Sequence, residues 1–161
     1  MEPLKIRTIG SADNPALAVI IRNTLLEFNA AKPGTVYYDP TTDHLYELFR
    51  HPKSLYLVAE MNDEIIGGSG IFPTPGLPAD TCELVKFYLT HEARGKGIGK
   101  MLMTKCETAA RALGYKYIYL ETMAELIIAV PLYERMGYQY LHGAMGNSGH
   151  EGCDIWMWKE L

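Results

Sequence analysis

The sequence is poor in the features that mark membrane, secreted and nucleic-acid-binding chains. No stretch of its 161 residues approaches the roughly 18 consecutive apolar residues of a membrane span, so no membrane partner is expected. The opening MEPLKIRTIG lacks the apolar run of a signal peptide, so no leader is expected either. Cysteine is scarce: Cys82, Cys106 and Cys153 are odd in number and no two are closely spaced. They read as free thiols of a protein in the reducing cytoplasm. Basic residues are in deficit, with 15 Lys and Arg against 19 Asp and Glu, a formal charge of −4. Phosphate backbones need the opposite balance, which argues against a nucleic-acid partner. The acidity suits a cationic substrate and suits plain solubility equally. The five histidines, His44, His51, His91, His142 and His150, form no metal-ligand pattern. His150 with Cys153 alone supplies too few ligands, so no metal is expected. Repeats and low-complexity tracts are absent, and the Pro-rich piece 73–78 is too short for a linker. Residues 1–161 are therefore expected to form a single domain, long enough for a hydrophobic core.

The patterns present alternate between periods of two and of 3.6 residues. Residues 5–9 read as a first strand. Asp13 or Asn14 is placed to cap a helix with Pro15 in its first turn and Leu17, Ile20, Ile21, Leu25 and Phe28 at helical spacing. Residues 31–39 read as a loop. Thr41 or Thr42 can then cap a short helix carrying Leu45, Leu48 and Phe49. Strands 54–61 and 64–72 flank the turn Asn62-Asp63 as a hairpin, and 81–89 is a strongly apolar strand. Ile98, Met101, Leu102, Cys106, Ala109 and Leu113 form one helical stripe that Gly114 is placed to stop. Strand 117–121 follows, then a helix over 125–136 in which Pro131 predicts a kink or a late start. Strands 138–141 and 153–158 close the chain, joined by the Gly-rich stretch 143–152; Ile155 and Met157 fall on one face, Trp156 and Trp158 on the other. Helices alternating with strands give an α/β or α+β domain with a mixed sheet.

The segment richest in chemistry runs from Glu83 to Gly99, ELVKFYLTHEARGKGIG: strand, turn, glycine-rich loop, helix start. Such a loop brings several backbone N–H groups to one point, and the helix dipole adds roughly half a positive charge there. That is a nest for phosphate, which the glycines allow to approach the backbone closely. A P-loop would need Gly at Arg94 and Ser or Thr at Met101, and a dinucleotide fingerprint would need Gly at Lys100, so both nucleotide readings fail. The plain alternative is a tight strand-to-helix turn that binds nothing.

The spacing Arg94-x-x-Gly97-x-Gly99 resembles the R/Q-x-x-G-x-G/A signature of the GNAT acetyltransferase superfamily. The resemblance extends to Leu89, five residues before Arg94, and to the later run Leu132-Tyr133-Glu134-Arg135-Met136-Gly137-Tyr138, similar to the family's L-Y-x-x-x-G-F. It implies a central, mixed, mostly antiparallel twisted sheet of about six to seven strands, flanked by about four helices. A splayed central pair, here 81–89 and 117–121, would receive the thioester. It implies an N-acetyltransferase that moves the acetyl group of acetyl-CoA onto an amine by direct attack in a ternary complex. In that layout the main chain of Phe87, Tyr88 and Leu89 holds the pantetheine amides like an added strand. Arg94 belongs to the nest, in which Gly95, Lys96, Gly97, Ile98, Gly99 and Lys100 hold the pyrophosphate.

Direct transfer needs a base for the amine and a donor for the departing thiolate. Tyr133 matches the family tyrosine that donates to the CoA sulfur; a phenol with a pKa near 10 carries its proton at neutral pH. Its bland alternative is a core aromatic. Glu83, four residues before Phe87, stands where histone-type members carry a base. Glu121, twelve before Tyr133, stands where certain ribosomal-protein acetyltransferases carry theirs. Either carboxylate is equally open to being a salt-bridged strand residue, and Glu83 is slightly preferred. Leu126 replaces the asparagine that many members place seven residues before the tyrosine, which puts one cofactor hydrogen bond in doubt. Cys82 neighbours the site but has no evident histidine partner for a covalent route. Tyr37, Tyr38, Asp39, His150 and Asp154 are candidate acceptor contacts, the acceptor being a small-molecule or peptide amine. Homodimers are common in the family. The rival from another class is a non-catalytic acyl-CoA-binding domain that keeps the nest and lacks catalytic groups.

Overall fold

A computed structural model describes residues 3–161. In chain order its elements are β1 (Lys5–Thr8), α1 (Asn14–Glu27), α2 (Leu45–Leu48), β2 (Leu55–Met61), β3 (Glu64–Phe72), β4 (Thr81–Leu89), α3 (Ile98–Ala112), β5 (Tyr117–Thr122), α4 (Ala129–Arg135), β6 (Gln139–Leu141) and β7 (Ile155–Glu160). The strands make one open sheet in the order β1-β2-β3-β4-β5-β7-β6. Every pairing is antiparallel except β4 with β5.

Both faces of the sheet are covered, and the period-two alternation of β2 shows how. Leu57 and Ala59 face a core built with α3 and α4, which includes Leu102, Met103 and Cys106. Tyr56 and Val58 face a second core built with α1 and α2, which includes Leu17, Ile21 and Leu45. The expected hairpin turns through Asn62 and Asp63, both at positive φ, 53° and 61°. That is the conformation two-residue hairpin turns require, and Asn and Asp tolerate it better than most residues.

Two features of the sheet create a cleft. Register between β3 and β4 slips between Gly68 and Gly70, so Lys86 and Phe87 together oppose Ser69. Lys86 sits at φ 54° in this bulge. The parallel ladder of β4 and β5 then covers only Thr81, Cys82 and Glu83 against Tyr117, Ile118 and Tyr119. Past Glu83 the two strands part, which is the splay expected of the central pair. Beyond that point β4 has unpaired edge on the β5 side.

Several local expectations are corrected. Neither Asp13 nor Asn14 caps α1. The Asp13 carboxylate accepts from the Gly10 N–H at 2.6 Å and pairs with Arg7, while Asn14 accepts the Tyr46 N–H at 2.8 Å and so caps α2 instead. Thr41 and Thr42 lie in a short 3-10 turn, Pro40–Asp43, and α2 starts after His44. Another 3-10 turn, Val36–Tyr38, interrupts the loop over 31–39. The helix expected over 125–136 takes its late start: Ala129 is its first residue, placing Pro131 in the first turn, where an N–H has no intrahelical acceptor. β6 starts one residue later than expected and ends where expected, and β7 lies two residues later.

Candidate active site

The parting of β4 and β5 opens a cleft of about 390 Å³ that runs from the start of α3 to the loops before α2 and β7. The α3 end has the character of an anion site. Gly95 and Gly97 adopt φ 76° and 80°, and Gly97 is the residue that opens α3. Other residues pay strain in this left-handed region, so glycine is required by conformation rather than by crowding. No atom lies within 4 Å of where a Cβ on either would stand. The N–H groups of Ile98, Gly99 and Lys100 form the first turn of a 15-residue helix and lack intrahelical acceptors. Gly99 is needed for a different reason: a Cβ there would meet the Phe87 ring at 3.1 Å and Leu132 at 3.3 Å. The nest therefore fits a phosphate group on the chemistry of its donors and on its open space.

Arg94 borders the nest and points its guanidinium away toward α1. It donates to both oxygens of Glu27 at 2.6 and 3.1 Å and to the Leu89 carbonyl at 3.1 Å, and lies over the Phe28 ring at 4.9 Å. The nest loop is thus anchored to the end of α1. Phe87, Tyr88 and Leu89 line the cleft along the unpaired edge of β4. Leu126 lines the opposite wall and packs with the Leu25–Met123 core, an apolar contact where an asparagine would offer a hydrogen bond.

Glu83 occupies the point where the strands part, the last residue of the parallel ladder. It is 2% exposed and accepts the Thr74 hydroxyl at 2.6 Å. Burial pushes its carboxyl up to about 8; the bond from Thr74 and the charge of Lys86 oppose the rise and the charge of Glu121 adds to it. Glu121, two residues past the end of that ladder on β5, is half-buried and held by hydroxyls of Tyr119, at 2.6 Å, and Ser148. Tyr133 projects from α4 into the cleft, with its ring 6.1 Å from Phe87 and 6.0 Å from Tyr138. Burial raises its phenol well above the ordinary value, so it keeps its proton. Cys82 is fully buried, and burial pushes its thiol up to about 12, which removes it as a nucleophile at neutral pH.

The far end of the cleft contains a cluster that pattern-reading in one dimension missed. Glu83, Glu121 and His150 each bring one side-chain donor atom within 4.8 Å of the others. The His150 Nε2 lies 2.8 Å from Asp39 Oδ2, and Lys86 donates to the same oxygen at 3.1 Å. Burial raises the Asp39 carboxyl, but the bond from His150, the Lys86 charge and the bonds from Thr41 outweigh it and hold the group well below the usual carboxylate range. The loops carrying Asp39 and His150 are stitched together: Gly152 N–H donates to the Gly34 carbonyl at 2.8 Å, and a Cβ on Gly34 would stand 2.8 Å from that nitrogen. Of the other acceptor candidates, Tyr38 and Asp154 are exposed and Tyr37 packs against the α1 core.

A nest at a helix start, a bulged strand beside a splayed parallel pair and a buried tyrosine opposite them agree with what sequence comparison finds. The profile of the acetyltransferase (GNAT) family matches residues 22–138. The chain belongs to the GNAT acetyltransferase family. An uncharacterised N-acetyltransferase of Escherichia coli (strain K12), YjgM, is 40% identical over 157 residues, covering 97% of this chain and 94% of its own. Among solved structures, a GNAT-family acetyltransferase from Staphylococcus aureus superposes with a TM-score of 0.87 at 18% identity, covering 98% of this chain and 99% of that one. YncA from Salmonella typhimurium, a putative acetyltransferase with its cofactor acetyl-CoA, gives 0.74 at 19% identity, covering 98% and 94%. GNAT membership makes this chain an acetyl-CoA-dependent N-acetyltransferase acting on an amine. Among the described residues no helix is long and apolar enough to cross a membrane.

Proposed function

We propose that the chain, as one catalytic domain of 161 residues, acetylates a cationic amine by direct attack within a ternary complex. Glu83 serves as base and Tyr133 as proton donor to the departing thiolate. The observation that carries this reading is the placement of Glu83: buried at the mouth of the splay, in one cleft with Tyr133 and the nest. A base works best with a pKa near the operating pH, and burial brings this carboxyl to about 8. An incoming ammonium lowers that value by its charge and so favours the ionised carboxylate, the form that can accept the amine's proton. Acetyl-CoA supplies the thioester. The nest amides and Lys100 hold its pyrophosphate, and the free edge of β4 from Phe87 to Leu89 orients the arm.

The acceptor class follows from the charge layout of the cleft. Arg94, Lys100 and Arg135 lie along its phosphate side, while Glu83 and Glu121 stand at the other end. The one lysine there, Lys86, is already paired with Asp39. This favours an amine with no carboxylate beside it, either a small molecule or a peptide amine, over free amino acids. The cytoplasm is the proposed compartment, in keeping with three unpaired thiols.

The test is an acceptor panel of benzylamine, spermidine, L-lysine and an alanyl tripeptide amide, followed by free-thiol release from acetyl-CoA. The expected result is turnover above the hydrolytic background, with the carboxylate-free amines ahead of L-lysine. With the best acceptor, Glu83→Gln should abolish the acidic limb of the pH–rate profile and leave acetyl-CoA affinity nearly intact. If Glu121→Gln has that effect and Glu83→Gln does not, the other carboxylate is the base.

A further inference from the structure

Acetylation of an ammonium by a thioester gives an amide, a thiol and one proton, which must reach water in every turnover. The second amine proton is consumed internally: Tyr133 gives its proton to the thiolate and recovers one from the acylated nitrogen. The first lands on Glu83, which is 2% exposed and cannot deliver it directly. We infer that His150, oriented by Asp39, is the relay that takes this proton from Glu83 and passes it to solvent. The inference rests on the assignment of Glu83 as base.

Three observations support it. A ring nitrogen of His150 and an oxygen of Glu83 lie within 4.8 Å of one another, with Glu121 equally near. This is within reach of one small shift or one water. Asp39 is ionised and only accepts hydrogen bonds, so the Nε2 that faces it at 2.8 Å carries the hydrogen. Nδ1 is then left as the basic lone pair. Finally, the His150 side chain is 13% exposed, against 2% for the Glu83 residue, and it rides on a loop at the surface. It can hand a proton outward while its ring is held still by Asp39.

The step balances without any co-reactant. The O–H bond of protonated Glu83 breaks and, through a bridging water, an N–H bond forms at Nδ1. The imidazolium then loses that proton to water, and both groups return to their starting states. The charged and titratable groups that face His150 are Asp39 from the loop before α2, Glu83 and, through Asp39, Lys86 from β4, and Glu121 from β5. Cys153, from its own loop, faces the same carboxylates with its thiol pushed up to about 12 and stays neutral.

His150→Asn keeps a side-chain donor for Asp39 and removes the base. With the best amine of the panel, kcat should fall by roughly 10- to 100-fold, in the range of one proton-transfer group. The Michaelis constant for acetyl-CoA should hold. Adding 4-methylimidazole should restore kcat in proportion to its free-base fraction, which a merely structural role does not allow. A variant within twofold of wild-type kcat, or a loss that 4-methylimidazole does not restore in a protein of unchanged melting temperature, overturns the relay. If His150→Asn does not fold, proton NMR of the His150 ring decides. Coupling to Glu83 should give two titration steps in the wild type and one in Glu83→Gln; identical single-step curves overturn the relay. Wild-type kcat in Glu83→Gln would remove the base and the relay together. A slow Glu83→Gln beside a normal His150→Asn removes the relay alone.

Discussion

Tyr133 is the residue whose two readings, core aromatic and proton donor, differ most in consequence. It is buried among Phe87 and Tyr138 as a core residue would be, yet it lines the cleft. Tyr133→Phe keeps the ring and removes the hydroxyl. A hydrogen bond to sulfur strengthens as charge develops there, and only that difference accelerates the reaction. We expect kcat to fall by roughly ten- to a thousandfold with little change in the Michaelis constant for acetyl-CoA. Steady-state kinetics and a thermal melt on one sample check this, and wild-type kcat with chemistry rate-limiting would take Tyr133 out of the mechanism. The same scale holds the metal question. Glu83, Glu121 and His150 are spaced closely enough for a cation, but burial pushes the Glu83 carboxyl up to about 8, so a metal would have to displace a proton to bind there. Dialysis against EDTA should leave the rate unchanged; a loss restored by one divalent metal would show that the cluster is a metal site.

At the scale of elements, the start of α3 and the bulge of β4 do different work. The nest depends on backbone conformation. Gly97→Val forces a β-branched residue to φ 80° and places methyl groups in the open space above the amides. Acetyl-CoA affinity measured by calorimetry should fall at least tenfold in a protein that still folds. Undiminished affinity would show that the nest does not hold the pyrophosphate. The bulge turns Lys86 inward against Asp39, with its side chain 3% exposed. Its carbonyl accepts the Tyr56 hydroxyl at 2.7 Å, which fixes the strand where it leaves β5. Removing one partner of this pair leaves a buried charge alone, so Asp39→Ala should destabilise the fold by about 3 kcal/mol or more. Urea unfolding measures that loss.

Over the whole molecule, the Glu83 carboxyl couples stability to pH. Its pKa rises from 4.5 to about 8 on folding, so between those values the folded chain holds a proton that the unfolded chain has released. The stability this group contributes is full below about pH 4.5 and is lost as pH climbs through the window to about 8. The slope is at most about 1.4 kcal/mol per pH unit. Glu83→Gln removes it, so the variant should gain on the wild type steadily from pH 5 to pH 8 in urea unfolding. Parallel stability curves would mean that Glu83 is not a protonated acid in the folded protein.

What the sequence determined by itself is the part that depends on neighbours in the chain. The run Arg94-Gly95-x-Gly97-x-Gly99 places two left-handed glycines, Gly95 and Gly97, and a helix start together, whatever surrounds them. The α3 stripe, the Asn62-Asp63 hairpin and the late start that Pro131 imposes on α4 are local in the same way, and each was legible. Only the tertiary structure decided where the carboxylates and their partners stand. His150 meets Asp39 across 111 residues, and Lys86 meets it across 47. The bulge that turns Lys86 inward is a mismatch between two strands, visible in neither alone. Helical and strand periods report which face a residue occupies. They carry no information about which distant loop packs over that face, and burial by that packing is what raises the Glu83 carboxyl and orients His150.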